Sequence, residues 1–255
     1  MAICIRAVDF SETSQIVTFF TKANGKIDAI AKGSKRRKSA FDGPIEIFSH
    51  GRIVFSDSNK EKLATLTEFE SASGTQGFTS LSSDLFILNC CYFAAELLNK
   101  MTQDYDPHPE LFNSFLDFLQ NASEKENKNQ ILALLILFQL TLLKEVGLQP
   151  VLDCCANCKK TCRVGLAPPS IGSPASNVQE VYFSSSANGI ICKDCEASFP
   201  DKIRLSQPAA NCLGNLKQIA QAKQKILNEI EKILIHHFTE LLGHKPKMAK
   251  HILNN

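Results

Sequence analysis

The sequence contains no apolar stretch long enough to cross a bilayer. Its longest strongly apolar run covers residues 131–143 and is broken only by Gln139 and Thr141. A spanning helix needs about 20 apolar residues. The run therefore predicts a buried helix in a globular protein, and no secretory signal peptide is visible at the start of the chain. Together these absences predict an intracellular protein with no membrane partner.

The sequence also has little excess of charge of either sign. Lys and Arg number 28 and Asp and Glu number 26, which gives a formal net charge of +2. So small a net charge does not by itself indicate a nucleic-acid partner. The distribution of the cations along the chain must carry that argument.

Motifs for catalysis are missing as well. We find no nucleophile with a matching base, no paired acidic motif and no phosphate-binding glycine loop, since Gly33-Ser34-Lys35 lacks the required upstream glycine. A hydrolase or nuclease built on a metal would need an open metal position or a carboxylate cluster. The sequence therefore predicts a protein that is not an enzyme.

Cysteine, in contrast, is plentiful, with ten residues in the chain. The chain is far longer than a disulfide-stapled mini-domain, so reduced thiols are expected. Four of the cysteines form two short pairs, Cys155 with Cys158 and Cys192 with Cys195, each separated by two residues. Together the pairs have the spacing of a closed, structural Cys₄ zinc site. Cys154 and Cys162 are alternative ligands for the first pair. A redox pair or inert thiols are the competing interpretations.

The first part of the chain alternates short β-type runs with turn signals. Residues 16–21 and 27–31 flank an Asn-Gly turn and predict a hairpin, and residues 44–48, 51–56 and 63–69 predict three further strands. About five short strands favour a small Greek-key barrel of the OB type.

The densest basic cluster of the chain lies between two of these predicted strands, in residues 32–39. Its cations would neutralise phosphates without reading a base sequence, and the alternative is a solvated loop. Phe41 and Phe48 flank the cluster, either as base-stacking residues or, more commonly for Phe on a strand, as core residues. The predicted DNA contacts are Lys32, Lys35, Arg36, Arg37 and Lys38, with Lys26 and Arg52 as weaker members.

Helical periodicity takes over after Gly77. Apolar spacing predicts helices over residues 85–101, 110–120 and 125–146 and two more segments within 208–242. His236 and His237 are expected to be surface or edge residues. The predicted architecture is an α+β multidomain protein in which an N-terminal OB-fold barrel precedes an α-helical bundle interrupted by a Cys₄ zinc module. The expected domains are residues 1–78 for the barrel, 79–150 and 201–255 for the helices, and 151–200 for the zinc module.

Residues 10–21, 25–27 and 31–39, read as one ordered set, resemble the N-terminal signature of the bacterial RecO family of recombination mediators. The resemblance implies an OB-fold whose Lys-Gly and Arg/Lys-rich turn belongs to a DNA-binding surface. It also implies a zinc module at the two cysteine pairs. Members commonly carry Gly after the second cysteine of the first pair, where this chain has Lys159.

The resemblance further implies a role in DNA repair through the RecFOR pathway. The implied activities are binding of single- and double-stranded DNA, annealing of complementary strands and assistance to RecA loading on DNA coated by single-stranded DNA-binding protein. RecR and the acidic C-terminal tail of that coating protein are the implied partners, in the bacterial cytoplasm near the nucleoid. The alternative function is a zinc-supported protein-interaction adaptor that does not bind DNA directly.

Overall fold

The computed structural model describes residues 1–36, 39, 41, 43–56, 63–72, 84–124, 127–160 and 180–253 of the 255-residue chain. The chain forms two compact units, Met1–Lys125 and Glu126–Asn255. The first contains a β-barrel and two helices, and the second contains three helices and a small sheet. The four-part domain division expected from the sequence stays a prediction.

Five strands form a closed barrel in the first unit. They are β1 (Ala2–Asp9), β2 (Gln15–Thr21), β3 (Gly25–Ala31), β4 (His50–Ser56) and β5 (Ala64–Ser71). The order around the barrel is β1-β2-β3-β5-β4, with β3 and β5 parallel and the other neighbours antiparallel. This confirms the predicted five-stranded barrel of the OB type followed by helices.

One of the five predicted strands is wrong. Residues 44–48 form no strand, since they are irregular up to a turn at 47–48 in which Phe48 has a φ of 67°, outside the extended region. The fifth strand is instead β1, whose first four residues are all buried. Because both faces of this half-strand are covered, the apolar/polar alternation that signals a strand is absent from its sequence.

Two helices, α1 (Leu85–Met101) and α2 (Pro109–Glu124), complete the first unit. The Asp84 carboxylate caps α1 by accepting a hydrogen bond from the backbone N–H of Phe86 at 2.7 Å. Aromatic contacts join the helices to the barrel, with ring centroids of Phe20 and Phe112 6.2 Å apart. The outer face of part of the barrel is therefore core and not a free surface.

The second unit begins with α3 (Lys128–Glu145) and continues with β6 (Val181–Ser184) and β7 (Gly189–Cys192). A 3₁₀ helix (Lys193–Ser198) leads to β8 (Ile203–Leu205) and α4 (Gln207–Gly214). A second 3₁₀ helix (Leu216–Gln221) precedes α5 (Gln224–Leu242), and a third 3₁₀ helix (Met248–His251) lies near the end of the chain. The three strands form an antiparallel sheet in the order β7-β6-β8. The predicted buried helix of residues 131–143 is confirmed as the middle of α3. Within the part of the chain that the structure describes, no helix combines the length and hydropathy of a membrane span.

Polar side chains are buried where α5 packs against its neighbours. Gln139 Nε2 donates to Glu231 Oε1 over 2.8 Å, which links α3 to α5, and Glu231 is fully buried. His237 is also fully buried, with its ring 5.3 Å from that of Phe183 on β6. Burial lowers the pKa of His237 to about 4, with a smaller effect from His236. The expectation that His237 is a surface or edge residue is wrong, because β6 covers this face of the helix.

Candidate nucleic-acid interface and metal centre

The basic turn, which we define as residues 32–36, follows directly on the last residue of β3. Lys32 and Arg36 are exposed, Lys35 is partly exposed, and Ser34 between them is completely buried. Arg37 and Lys38, the other predicted members, lie outside the described residues. The turn therefore combines outward cations with one inward polar anchor.

Ser34 is anchored in a buried network of neutral hydrogen bonds. Its hydroxyl donates to Gln15 Oε1 over 3.0 Å, and the same oxygen accepts from the backbone N–H of Ile45 at 2.9 Å. Gln15 Nε2 in turn donates to the carbonyl of Ile45 over 3.3 Å. Because buried polar groups are costly to leave unpaired, this network fixes the turn to the end of the barrel.

Backbone contacts hold the same turn against the β1–β2 loop. The N–H of Lys35 donates to the carbonyl of Thr13 at 3.2 Å, and the N–H of Gly33 donates to Ser14 Oγ at 3.3 Å. Gly33 has a φ of 76°, a conformation that glycine adopts without the Cβ clash that other residues suffer. The turn is thus held on two sides.

An ion pair moderates the charge of the turn. Lys35 Nζ lies 2.6 Å from Asp9 Oδ2, with the lysine side chain 27% exposed and the aspartate 64% exposed. An exposed pair of this kind contributes little to stability. A phosphate approaching Lys35 therefore competes with a carboxylate that is weakly held.

Lys26, unlike the exposed cations of the basic turn, makes contacts within the fold. Its ammonium donates to the carbonyls of Asn99 and Thr102, each at 2.9 Å, and lies 3.2 Å from Asp104. These contacts fasten β3 to the carboxyl end of α1, where free carbonyls favour a cation. The side chain is 13% exposed, so the ammonium is engaged in the fold.

The structure does not bring Lys26 and Arg52 together with the basic turn. Lys26 is near the start of β3, whereas Lys32 follows its end. Arg52 is exposed near the start of β4, where neighbouring Gly51 pairs with Ala2 at the start of β1. The basic turn instead contacts the far end of β1, so these two cations lie toward the opposite end of the barrel.

The flanking aromatics are core residues. Phe41 and Phe48 are 7% and 3% exposed, and Phe48 packs against Tyr92 with ring centroids 5.3 Å apart. Base stacking by these two rings is therefore excluded, and the core interpretation is confirmed. Sequence reasoning missed Phe10, whose side chain is 61% exposed in the loop between β1 and β2. No sequence signal marks it, because the strand that it follows, β1, was itself not predicted.

The four predicted metal ligands lie together in the second unit. The sulfurs of Cys155, Cys158, Cys192 and Cys195 all fall within 4.8 Å of one another, and those of Cys158 and Cys192 are 3.6 Å apart. Four thiolates around a tetrahedral Zn²⁺ at about 2.3 Å are separated by about 3.8 Å. The cluster therefore has the composition and nearly the spacing of a closed metal site.

Two backbone turns present these thiols. The first carries Cys155, whose N–H donates to the Lys160 carbonyl at 2.8 Å, and it places Lys159 at a φ of 62°. The second begins where β7 runs into its 3₁₀ helix, so that Cys192 and Cys195 lie one turn apart. Lys160 Nζ pairs with Asp194 at 2.8 Å across the two turns. Both side chains of this pair are exposed.

The environments of the thiols differ. Burial opposes ionisation of Cys155, but hydrogen bonds from backbone N–H groups, including those of Cys158 and Cys192, lower its pKa to about 6. Burial, with a contribution from the Cys158 thiol, raises the pKa of Cys192 to about 12. Crowded thiols do not all ionise without a cation between them. Metal binding at this cluster would therefore release protons.

The sequence offered two alternative ligands, Cys154 and Cys162. Cys154 is adjacent to Cys155 but is not a member of the four-cysteine group. Cys162 lies outside the described residues. Within the part of the chain that the structure describes, the two predicted pairs alone form the group.

The fold and this cluster define a class: an OB-type barrel protein with an exposed basic turn, continued by a helical unit that carries a four-cysteine metal-type centre. Family models match nearly the whole chain. The model described as Recombination protein O N terminal covers residues 1–75, and the one described as Recombination protein O C terminal covers residues 82–250. The chain belongs to the RecO family of DNA repair and recombination proteins.

Relatives named DNA repair protein RecO agree with this assignment. The one from Bacillus pumilus is 28% identical over 94% of this chain and 88% of its own length. The one from Listeria monocytogenes serotype 4b is 31% identical over 81% and 71%. The one from Anaeromyxobacter sp. strain K is 30% identical over 80% and 72%. The relatives named are bacterial, and the expected family resemblance is confirmed.

Proposed function

We propose that this protein is a recombination mediator that binds single- and double-stranded DNA through the basic turn and anneals complementary strands. It would assist RecA loading on DNA coated by single-stranded DNA-binding protein, with RecR and the acidic tail of the coating protein as partners. In this proposal the barrel neutralises the phosphate charges of DNA and does not read its bases. The proposed protein has no catalytic activity. The bacterial cytoplasm, near the nucleoid, is the proposed location.

One observation carries the DNA-binding proposal. The cations of the turn point outward from a backbone that the buried Ser34–Gln15–Ile45 network holds in place. Cations on a backbone that is already held in place lose less conformational freedom when they bind phosphates than cations on a loose tail do. Phosphate contacts also carry no sequence information, so two strands held in this way remain free to pair by their own bases.

We assign Zn²⁺ to the four-cysteine cluster. The ligand set is all thiolate and fills a tetrahedron, so it leaves no coordination position for a substrate. Residues Cys155, Cys158, Cys192 and Cys195 would hold the ion, which would supply rigidity to the second unit and no chemistry. Elemental analysis of the purified protein tests this directly, with one zinc per chain expected.

The decisive experiment measures annealing of complementary oligonucleotides coated with single-stranded DNA-binding protein, across a salt series. Wild type should accelerate annealing, and the acceleration should fall as salt rises. Replacing Lys35, Arg36, Arg37 and Lys38 by Ala should remove most of it. The slope of log affinity against log salt for a single strand should decrease by up to about 3, since each lost phosphate contact contributes about 0.7.

A matched variant controls for net charge. Lys217, Lys223, Lys225 and Lys232 are exposed lysines of the second unit, and their replacement by Ala removes the same four charges. An equal loss in both variants would contradict the assignment of the site to the turn. Absence of DNA binding by wild type at low salt would overturn the mediator proposal and leave the protein-interaction adaptor. Asp9→Asn should change DNA affinity in the opposite direction. It removes the carboxylate that pairs with Lys35, so DNA affinity should rise about 2- to 5-fold.

A further inference from the structure

Phe10 is an exposed aromatic side chain without an evident structural use. It is 61% exposed, and it is the one aromatic among the large hydrophobic side chains that the described residues leave exposed. The chain's other described Phe residues are buried or partly buried. A single exposed apolar side chain is common on protein surfaces, so the groups around Phe10 decide whether its exposure has a use.

The loop that carries Phe10 is short and held in place. The N–H of Phe10 donates to the carbonyl of Ser14 at 3.0 Å, as does that of Ser11 at 3.2 Å. The next carbonyl back, that of Thr13, accepts from Lys35 in the basic turn. Asp9, which precedes Phe10, is paired with the Lys35 ammonium at 2.6 Å. The backbone that carries the ring is therefore held against the basic turn, and Phe10 directly follows the residue that pairs with Lys35.

An apolar row on the barrel leads to the same place. Val8 on β1 pairs with Ile16 on β2, and Ile16 pairs with Ile30 on β3. Val8 is 43% exposed, and the two isoleucines are partly exposed. Phe10 follows two residues after Val8, and Lys32 follows two residues after Ile30. One end of the barrel thus carries an apolar row bordered by a ring and by cations.

We infer that Phe10 stacks on an unpaired base while Lys35, Lys32 and Arg36 hold the adjacent phosphates. The combination of cations with one exposed ring matches a single strand, whose bases are free to leave their own stack. In a duplex the base faces are covered by neighbouring base pairs, so the ring has no partner there. Phe10 would then give the basic turn a preference for single-stranded over double-stranded DNA. This inference rests on the proposed function.

The test compares single-strand and duplex affinities of wild type, Phe10→Ala and Phe10→Leu by anisotropy of a labelled oligonucleotide. Both variants should bind single-stranded DNA about 5- to 100-fold more weakly, because one base–aromatic stack is lost. Duplex affinity should stay within about 2-fold and the salt slope should not change, because no ionic contact is removed. Leu keeps the apolar bulk without the ring, so it separates stacking from simple hydrophobic contact.

The sequence contains no tryptophan, which permits a direct optical test. Phe10→Trp should retain single-strand affinity within about 3-fold, and its indole fluorescence should be quenched by an unlabelled oligonucleotide through base stacking. Leu85→Trp is the matched control, because Leu85 is 70% exposed at the start of α1 and is not part of the proposed site. It should show no comparable quenching.

Three results would overturn the inference. They are unchanged single-strand affinity in Phe10→Ala, equal weakening of single-strand and duplex binding, and equal quenching at positions 10 and 85. In each of these the wild type still binds DNA, so the proposed function survives. If wild type binds no DNA in low salt, the proposed function fails and this inference fails with it.

Discussion

The two units of this protein present their chemical groups in opposite ways. In the barrel unit, the cations of the basic turn face solvent and a neutral network beneath them, centred on Gln15, sets their position. In the second unit, four thiols face one another within 4.8 Å. Each outward cation is one of several contributions to DNA affinity. Each inward thiol is one of four ligands that a metal site needs together, so losing one thiol should damage metal binding and folding far more than losing one cation damages DNA binding.

The largest expected effect is therefore a single ligand substitution. Cys158→Ser should abolish stoichiometric zinc binding and lower the free energy of unfolding of the second unit by more than about 4 kcal/mol, because structural metal binding is coupled to folding. Elemental analysis and hydrogen exchange of the amides in residues 151–160 and 189–198 measure this. Cys158 is exposed, so little packing is lost with it.

Cys154→Ser is the control for that substitution. Cys154 is the immediate neighbour of a ligand but lies outside the cluster, so zinc content and exchange protection should remain those of wild type. Equal loss in the two variants would show that the ligand set is wrong.

The second prediction concerns the network under the basic turn. Gln15→Leu should cost about 3 kcal/mol in the free energy of unfolding of the first unit, because the Ser34 hydroxyl and the Ile45 N–H lose their buried acceptor. DNA affinity should also fall, although no charge is removed. Denaturant unfolding and oligonucleotide binding at fixed salt provide the two readouts.

Ser34→Ala gives the graded comparison. It removes one hydrogen bond of the network and leaves the Gln15–Ile45 bonds in place, so it should cost only about 1 kcal/mol. If Gln15→Leu weakens the fold but leaves DNA affinity unchanged, the network does not position the cations.

A buried acid in the second unit provides the third prediction. Burial raises the pKa of Glu231 from 4.5 to about 8, partly offset by the hydrogen bond from Gln139. The folded state thus keeps a proton that the unfolded state loses above pH 4.5. Stability from this group is complete below that pH and declines as the pH rises toward 8.

Glu231→Gln should remove this decline. At pH 7 it should raise the free energy of unfolding by about 2 kcal/mol, since a tenfold change in proton affinity corresponds to about 1.4 kcal/mol and repacking consumes part of the gain. Urea unfolding at several pH values measures the difference. Glu240→Gln, at an exposed position of the same helix, is the matched control for the removal of one carboxylate. A difference between Glu231→Gln and wild type that does not vary with pH would contradict the assignment.

The smallest expected effect lies in the first cysteine turn. Lys159 occupies a left-handed conformation with a φ of 62°, which costs an ordinary residue about 1 to 2 kcal/mol, whereas glycine adopts it freely. Lys159→Gly should stabilise the turn by about 0.5 kcal/mol after the greater unfolded-state entropy of glycine is subtracted. A competition titration for zinc should show slightly tighter binding. Lys159→Ala keeps the strain and should give no gain.

These particular residues show how far sequence reasoning reached. The cysteine pairs could be predicted because ligand spacing is local and two residues between thiols suit one turn. The strand β1 could not, because burial on both faces removes its alternation. Phe41, Phe48 and Phe10 look alike in sequence, and only the fold distinguishes the two buried rings from the exposed one.

The sequence by itself determined the barrel followed by helices, the family, the position of the basic turn after a strand and two cysteine pairs with the spacing of metal ligands. Each of these is encoded by neighbours along the chain. The tertiary structure decided that Lys26 is engaged at the end of α1, that Arg52 lies apart from the turn and that His237 is buried. These outcomes depend on contacts between residues far apart in sequence, whose burial no local pattern specifies.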